Sequence, residues 1–225
     1  MNDQSFILIS TPRLTLRFPA ADEAGALARF YERNRAHFSQ FLNCDRSELS
    51  SAIYWQRSIP QLVADATEEH SYKLFAFRHE RPHEPVGVVN LFNIVRDDCK
   101  SCSLGYRIDR YAQGHGYMTE AVRAAIEFAF AVLGIDKISA NYAVANEPSG
   151  RLLKRLCFER EWVAHNYHFI NGVWVDHVMT SRRSAARGDN ETVEALAFRT
   201  ETAEALELGD DASLEGRQRG PNGGR

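Results

Sequence analysis

Two glycines one residue apart, Gly114 and Gly116, stand where an alternating apolar stretch gives way to a helical one in LGYRIDRYAQGHGYMTEAVRAAIEFAFAVLG, residues 104–134. A glycine turn that opens a helix is built to hold an anion. The first N–H groups of the helix have no partner within it, and the helix dipole favours negative charge there. Glycine also lets the backbone on either side of His115 approach a ligand closely. The chemistry implied is phosphate binding by main chain rather than by charged side chains. A phosphate loop of the nucleotide-hydrolase kind needs Lys and Ser or Thr after the second glycine, and Tyr117 and Met118 stand there instead. A dinucleotide fingerprint needs a third glycine and a parallel strand–helix–strand continuation. The other conspicuous spacing is the single CxxC of Cys99 and Cys102, beside the isolated Cys44 and Cys157. A structural zinc site wants a second pair or histidines at finger spacing. A redox pair is expected before a helix, whereas these cysteines precede strand-like residues. The expectation is reduced thiols at a strand edge, with no metal site.

The elements that must position this turn are legible from hydrophobic period. Residues 13–18 (RLTLRF) alternate, with Leu14, Leu16 and Phe18 on one face, as in a half-buried strand. Asp22 is placed to cap a helix running to about Ala36, with Leu27, Phe30 and Tyr31 on its apolar side. Residues 47–69 are helical in pattern, and Pro60 is expected to break them into two short helices or to kink one. Tyr54 and Trp55 there could line a substrate cleft, but core packing is the role expected of either. Residues 72–78 and 86–95 form a hairpin around HERPHEP, taken as a turn, and residues 101–108 supply a third strand. After the turn, Met118, Ala121, Val122, Ala125, Ile126, Ala129, Val132 and Leu133 keep helical spacing until Gly134. A strand over 137–144 and a helix over 146–156 follow, with Pro148 near its first turn. Residues 158–170 and 173–180 alternate around Asn171-Gly172, the strongest hairpin signal in the chain.

The chain of 225 residues, with a formal net charge of −3, is 44% hydrophobic and 25% charged. That is one ordinary domain with a tail. No global basic field suggests nucleic acid. No apolar run approaches the roughly 20 residues of a membrane span. The N-terminus lacks a basic region followed by a long apolar one, so no signal peptide is expected and the location implied is cytoplasmic. From Ser184 the composition changes: five arginines face nine acidic residues, and the end is GRQRGPNGGR. The expected organisation is an α+β domain over 1–183 and an acidic, partly disordered tail over 184–225, with a loose helix near 191–209.

A glycine turn between the last strand of a meander and a long helix, followed by a strand, an Asn-led helix and a hairpin, resembles the GNAT superfamily of acetyl-CoA-dependent N-acetyltransferases. The match is closest to the RimJ/RimL type, which acetylate ribosomal proteins. The family's Gln/Arg-x-x-Gly-x-Gly/Ala motif lies on Gln113 to Met118, with Met118 at the place of the small residue. YAQGHGYMTEA, ANEPSGRLLKRLCFERE and NGVWVDHVMT are similar to the branch's own segments, and the resemblance covers roughly residues 11–182. The implied fold is a mixed, mostly antiparallel central sheet with helices on both faces.

The resemblance also implies roles. Tyr106, Arg107 and Ile108 would bond the pantetheine arm of acetyl-CoA through their main chain. Gln113, Gly114, His115, Gly116, Tyr117, Met118 and Thr119 would cradle its diphosphate. Asn146 would contact the pantetheine arm. The tyrosine that many relatives use to protonate the leaving thiolate is replaced by Leu153, and Ser149 is the substitute offered by RimL-like enzymes; as a plain structural residue Ser149 would be a first-turn helix cap. The glutamate base of some relatives is replaced by Asn141. RimL-like enzymes place a carboxylate where this chain has His168, a suitable base near neutral pH, with Tyr167 as fallback. Cys157 stands where relatives have glycine before Phe158. The reaction implied is direct transfer to a primary amine in a ternary complex, the acceptor being the N-terminus of a protein, ribosomal by resemblance. A small amine such as a polyamine or aminoglycoside is the rival acceptor, and a non-catalytic acyl-CoA-binding domain is the rival class.

Overall fold

A computed structural model describes residues 6–41, 47–184 and 198–201. Among these described residues nine strands form one sheet: β1 (Phe6–Ser10), β2 (Leu14–Arg17), β3 (Ser71–Arg78), β4 (Arg81–Val95), β5 (Ser101–Ile108), β6 (Lys137–Ala143), β7 (Glu159–Ile170), β8 (Val173–Arg183) and β9 (Phe198–Glu201). Four α-helices accompany them: α1 (Ala24–Phe38), α2 (Ala52–Thr67), α3 (Tyr117–Ala131) and α4 (Glu147–Arg155). The strand order is β7-β8-β6-β5-β4-β3-β2-β1-β9. Every neighbouring pair is antiparallel except β5 with β6. The mixed, antiparallel-rich sheet expected from the sequence is what forms.

Register and packing sort the helices onto two faces. Tyr72, Leu91 and Leu104 are paired across β3, β4 and β5 and therefore share a face. Tyr72 lies edge-on to Phe128 of α3, so that face is α3's. Phe75, one face over, meets Trp55 of α2. Trp55 is fully buried and gives its indole N–H to the Leu49 carbonyl at 2.7 Å. Truncating a side chain so placed costs about 3–5 kcal/mol. The expectation that Trp55 belongs to the core holds. Pro60, in contrast, does not break α2, which is continuous through it. The missing N–H forfeits one helical bond, while Trp55, Ile59, Leu62 and Ala66 keep both halves seated on the sheet.

Three local expectations are corrected. Asp22 does not cap α1: a short 3-10 turn (Ala21–Glu23) precedes the helix, and the Glu23 carboxylate accepts the Ala20 N–H at 2.7 Å. Glu23 is buried against Arg17 and His83. HERPHEP is not all turn, since β4 begins at Arg81 and runs through Pro82 and Pro85 with register shifts against β3. There the proline carbonyls do the bonding: Pro82 accepts from Arg17 and Pro85 from Arg33. Finally, Phe198–Glu201, inside the stretch expected as a loose helix, is a strand paired with β1. The rest of the expected tail lies outside the described residues. The hairpin of β7 and β8 turns on Asn171-Gly172 as anticipated, with both residues at positive φ.

Candidate active site

The site begins with a pair of strands that part. β5 and β6 run parallel, yet only Ser101, Cys102 and Ser103 pair, with Lys137, Ile138 and Ser139. Beyond them Leu104 to Ile108 pair only with β4, and Ala140 to Ala143 only with β8. A wedge opens between the two strands. The main-chain groups of β5 that face β6 have no ladder partner along it, which is the arrangement an extended ligand with amide groups would complete.

The wide end of the wedge leads into the glycine turn. Asp109 caps a short 3-10 turn (Arg110–Ala112) by accepting the Tyr111 N–H at 2.9 Å. Gly114 and Gly116 both have φ of +80°, and Gly116 is the N-cap of α3. A side chain there would be strained, so glycine is what lets the chain turn into the helix with its first N–H groups outward. Gln113, Gly114, His115 and Gly116 are exposed, and the His115 ring lies parallel to Tyr117, 5.9 Å away. Met118 turns inward and is buried. A Cβ on Gly87 would sit 2.6 Å from the Met118 methyl, so Gly87 is what makes room for a large residue at this place of the motif. Gln113 also reaches His37 of α1, 3.0 Å between side-chain nitrogens. Arg33 pairs with Asp109, and the Asn34 amide oxygen accepts the Arg110 N–H. Helix α1 therefore braces the whole approach to the turn.

On the α3 and α4 face the wedge is bridged. Tyr106 and Ser149 lie 2.6 Å apart, oxygen to oxygen. Burial pushes the Tyr106 phenol up to about 12, so it is protonated at neutral pH and can donate. Asn146 is the N-cap of α4 and accepts the Ser149 N–H at 3.3 Å. The helix cap is thus Asn146; Ser149 supplies the capped N–H and keeps its hydroxyl for Tyr106. Tyr142 of β6 packs against Gly150 beside them.

His168 lies on the other face. It pairs with Val175, two residues from His177, which pairs with Ala143 of β6. These residues share the face opposite Tyr142 and Tyr106, together with Asn141. The His168 ring meets the buried His177 edge-on at 4.8 Å and Tyr167 at 4.4 Å. Burial lowers the His177 pKa, with the nearby His168 adding to it, so His177 is neutral at pH 7. A bulge in β7 brings His168 there: Asp176 takes the Asn166 N–H and the His165 ring, 2.8 and 2.7 Å, and two β8 residues span four of β7. The hairpin tip is tied down as well, the Asn171 amide donating to the Ser39 carbonyl at the end of α1 at 2.7 Å. Arg107 projects on this face, its guanidinium 5.9 Å from the Phe38 ring.

The structure thus joins Tyr106, Asn146 and Ser149, sets the turn residues at the mouth of the wedge, and leaves His168 across the sheet from Ser149. Three features escaped the sequence. The Tyr106 side chain carries no sequence signal of its part in the bridge. Arg13, just before β2, pairs with Glu120 of α3 and grips the turn at the His115 carbonyl. Asn90, opposite Gly105 on the His168 face, has a buried amide oxygen without a donor among the described residues. Only the last left a trace, a polar residue within VGVVNLF. Cys102 is buried and its thiol pushed up to about 12, which makes it inert.

Residues 13–159 match the family model described as an acetyltransferase (GNAT) domain. The chain belongs to the GNAT acetyltransferase family. It is 36% identical over 178 residues to the ribosomal protein uS5-alanine N-acetyltransferase of Escherichia coli, covering 78% of this chain and 90% of that one. Among solved structures it is similar to the ribosomal-protein-S5-alanine acetyltransferase of Vibrio fischeri, with a TM-score of 0.74 and 27% identity over 78% of this chain and 96% of that one. RimJ of Mycobacterium smegmatis, in complex with a CoA disulfide, shares the fold at a TM-score of 0.72 and 19% identity, covering 82% and 90%. The acetyltransferase class expected from the motifs is therefore correct, and no helix among the described residues is long and apolar enough to cross a membrane.

Proposed function

We propose that this chain transfers the acetyl group of acetyl-CoA to the N-terminal amine of a protein, a ribosomal protein being the acceptor favoured by its relatives. The observation that carries the reading is the wedge between β5 and β6, which ends on the glycine turn and is bridged on one face by Tyr106 and Ser149. In this reading the diphosphate lies on the N–H groups of residues 114–119, and the pantetheine arm runs down the wedge as an extra strand along Tyr106 to Ile108, with Asn146 beside it. The thioester then sits at the narrow end. The acceptor enters from the α1 and α2 face, because the other is closed by the Tyr106–Ser149 bridge.

The chemistry follows from the two faces. A neutral amine attacks the thioester carbonyl, forming the C–N bond; an α-amino group is already partly neutral near pH 7. His168, directly or through water, takes the proton the amine loses. The C–S bond breaks, and the departing sulfur accepts a hydrogen bond and then a proton from Ser149, which Tyr106 reprotonates; the proton held by His168 returns to the phenolate through solvent. The products are an amide and free CoA. No acyl-enzyme is invoked.

The test is thiol release from acetyl-CoA with peptides that copy ribosomal protein N-termini, set beside spermidine and an aminoglycoside. Peptides should be turned over and yield a mass increase at the α-amine. Turnover of the small amines alone would replace the acceptor. Acetyl-CoA binding with no thiol release from any amine would favour a binding domain. Acting on nascent or ribosomal proteins would place the enzyme in the cytoplasm.

A further inference from the structure

The N-terminus of α3 carries an acid where the proposed diphosphate must dock. Glu120 lies in the first turn of the helix. A carboxylate at such a place competes with any bound anion for the helix dipole and repels it. In this chain it is turned aside and fully engaged. One carboxylate oxygen takes the Thr11 hydroxyl at 2.7 Å and the Arg13 N–H at 2.9 Å. The other takes the Arg13 guanidinium, with Nε at 2.7 Å and Nη2 at 2.6 Å. Burial pushes the Glu120 carboxyl up, but Thr11 and Arg13 more than offset this and hold it below its ordinary value, so it is charged. Arg13 reaches further. Its Nη1 donates to the His115 carbonyl at 2.9 Å, inside the turn, and its guanidinium carbon lies 4.7 Å from the centre of the Tyr117 ring.

We propose that Arg13 is a positioning residue for cofactor binding, which cancels the charge of Glu120 and fixes the His115 carbonyl so that the glycine turn presents only donors to the diphosphate. The inference rests on the reading of the turn as the diphosphate site. It assigns the residue just before β2, about a hundred residues ahead of the turn, a part in cofactor affinity. Arg13 acts through Glu120 and the turn and need not touch the ligand. Two consequences separate this from a merely structural ion pair. Losing the Arg13 side chain leaves the Glu120 charge without its counter-ion near the anion, held only by Thr11 and the residue 13 N–H, and removing Glu120 as well takes the offending charge away.

Calorimetric titration of acetyl-CoA and of S-acetylpantetheine, which lacks the diphosphate, into wild type, Arg13→Gln, Glu120→Gln and the double variant tests this. Arg13→Gln should weaken acetyl-CoA by about tenfold, the effect of one unscreened charge a few ångströms from a diphosphate, and leave S-acetylpantetheine unchanged. Glu120→Gln should bind acetyl-CoA at least as tightly as wild type, and the double variant should recover most of the loss. Arg13→Gln binding like wild type overturns the proposal. So does a double variant as weak as Arg13→Gln, which would make Arg13 a direct ligand, or equal weakening of both ligands, which would mean general damage. If wild type itself gains nothing from the nucleotide half, the diphosphate reading fails and the proposal with it. Thermal melting of each variant shows whether it is folded.

Discussion

The Tyr106–Ser149 bridge can be tested as a unit. Two hydroxyls 2.6 Å apart, one of them on a half-buried phenol, form one hydrogen bond, and the phenol's other acceptor, the Ser149 carbonyl, lies at a long 3.4 Å. Removing either partner should cost about 1 kcal/mol of stability, or roughly 2–4 °C in melting temperature for a domain of this size. The effect on turnover should be larger and unequal. If Ser149 meets the departing sulfur and Tyr106 acts only through Ser149, then Ser149→Ala loses the whole contribution, about 10²-fold in kcat, while Tyr106→Phe loses less, about tenfold. The double variant should then be no slower than Ser149→Ala, a coupling of about 1.4 kcal/mol. Steady-state thiol release at saturating acetyl-CoA and acceptor measures kcat, and melting curves report the stability term separately. Two outcomes would refute the reasoning. Strictly multiplicative losses would mean that the two hydroxyls act independently. An unaltered kcat for Ser149→Ala would leave the bridge as scaffolding alone.

Gly116→Val forces a β-branched residue to a φ of +80° and should abolish the thermal shift produced by acetyl-CoA; a retained shift would remove the turn from the cofactor site. His168→Ala should lower kcat by about a hundredfold with acetyl-CoA affinity unchanged; a wild-type kcat passes the role to Tyr167. Cys157 holds a φ of +59°, so Cys157→Gly should raise the melting temperature by about 2–4 °C through relief of roughly 1 kcal/mol of strain. Burial pushes the Glu23 carboxyl up, yet Arg17, the Ala20 N–H and His83 outweigh it and set the folded pKa below the ordinary 4.5. Its stabilising effect is therefore complete above that value and lost as pH falls through the lower folded one, and Glu23→Gln should flatten the loss of stability in acid, read from urea midpoints between pH 6 and 3.

Much of this architecture is legible from local pattern, because local pattern caused it. Leu14, Leu16 and Phe18 alternate and are buried; Met118 to Ala129 keep helical spacing and fill one face of α3; Asn171 and Gly172 take the positive φ that a tight hairpin needs. The failures share a different cause. Pro60 obeys the packing of Trp55 and Ile59 rather than its own propensity. Pro82 and Pro85 sit in a strand because two arginines use their carbonyls, a fact settled by Arg17 and Arg33. The site divides in the same way. The glycine turn and Asn146 could be read from neighbours in sequence. The Tyr106–Ser149 bridge spans 43 residues and the Arg13–Glu120 pair 107, so no window of sequence holds both partners.

The parting of β5 from β6 also bears on the protein before any substrate arrives. A sheet interrupted in its middle is two smaller sheets hinged at a three-residue seam, Ser101–Ser103 against Lys137–Ser139. One carries β6, β7 and β8; the other carries β5 and everything beyond it. Side chains add ties across that seam, among them Asn171 to Ser39 and Tyr106 to Ser149. An elongated guest lying in the gap would act as mortar between the halves. The amides of residues 104–108 that face β6 should then be the quickest in the sheet to exchange with solvent deuterium, and the ones slowed most when the gap is filled.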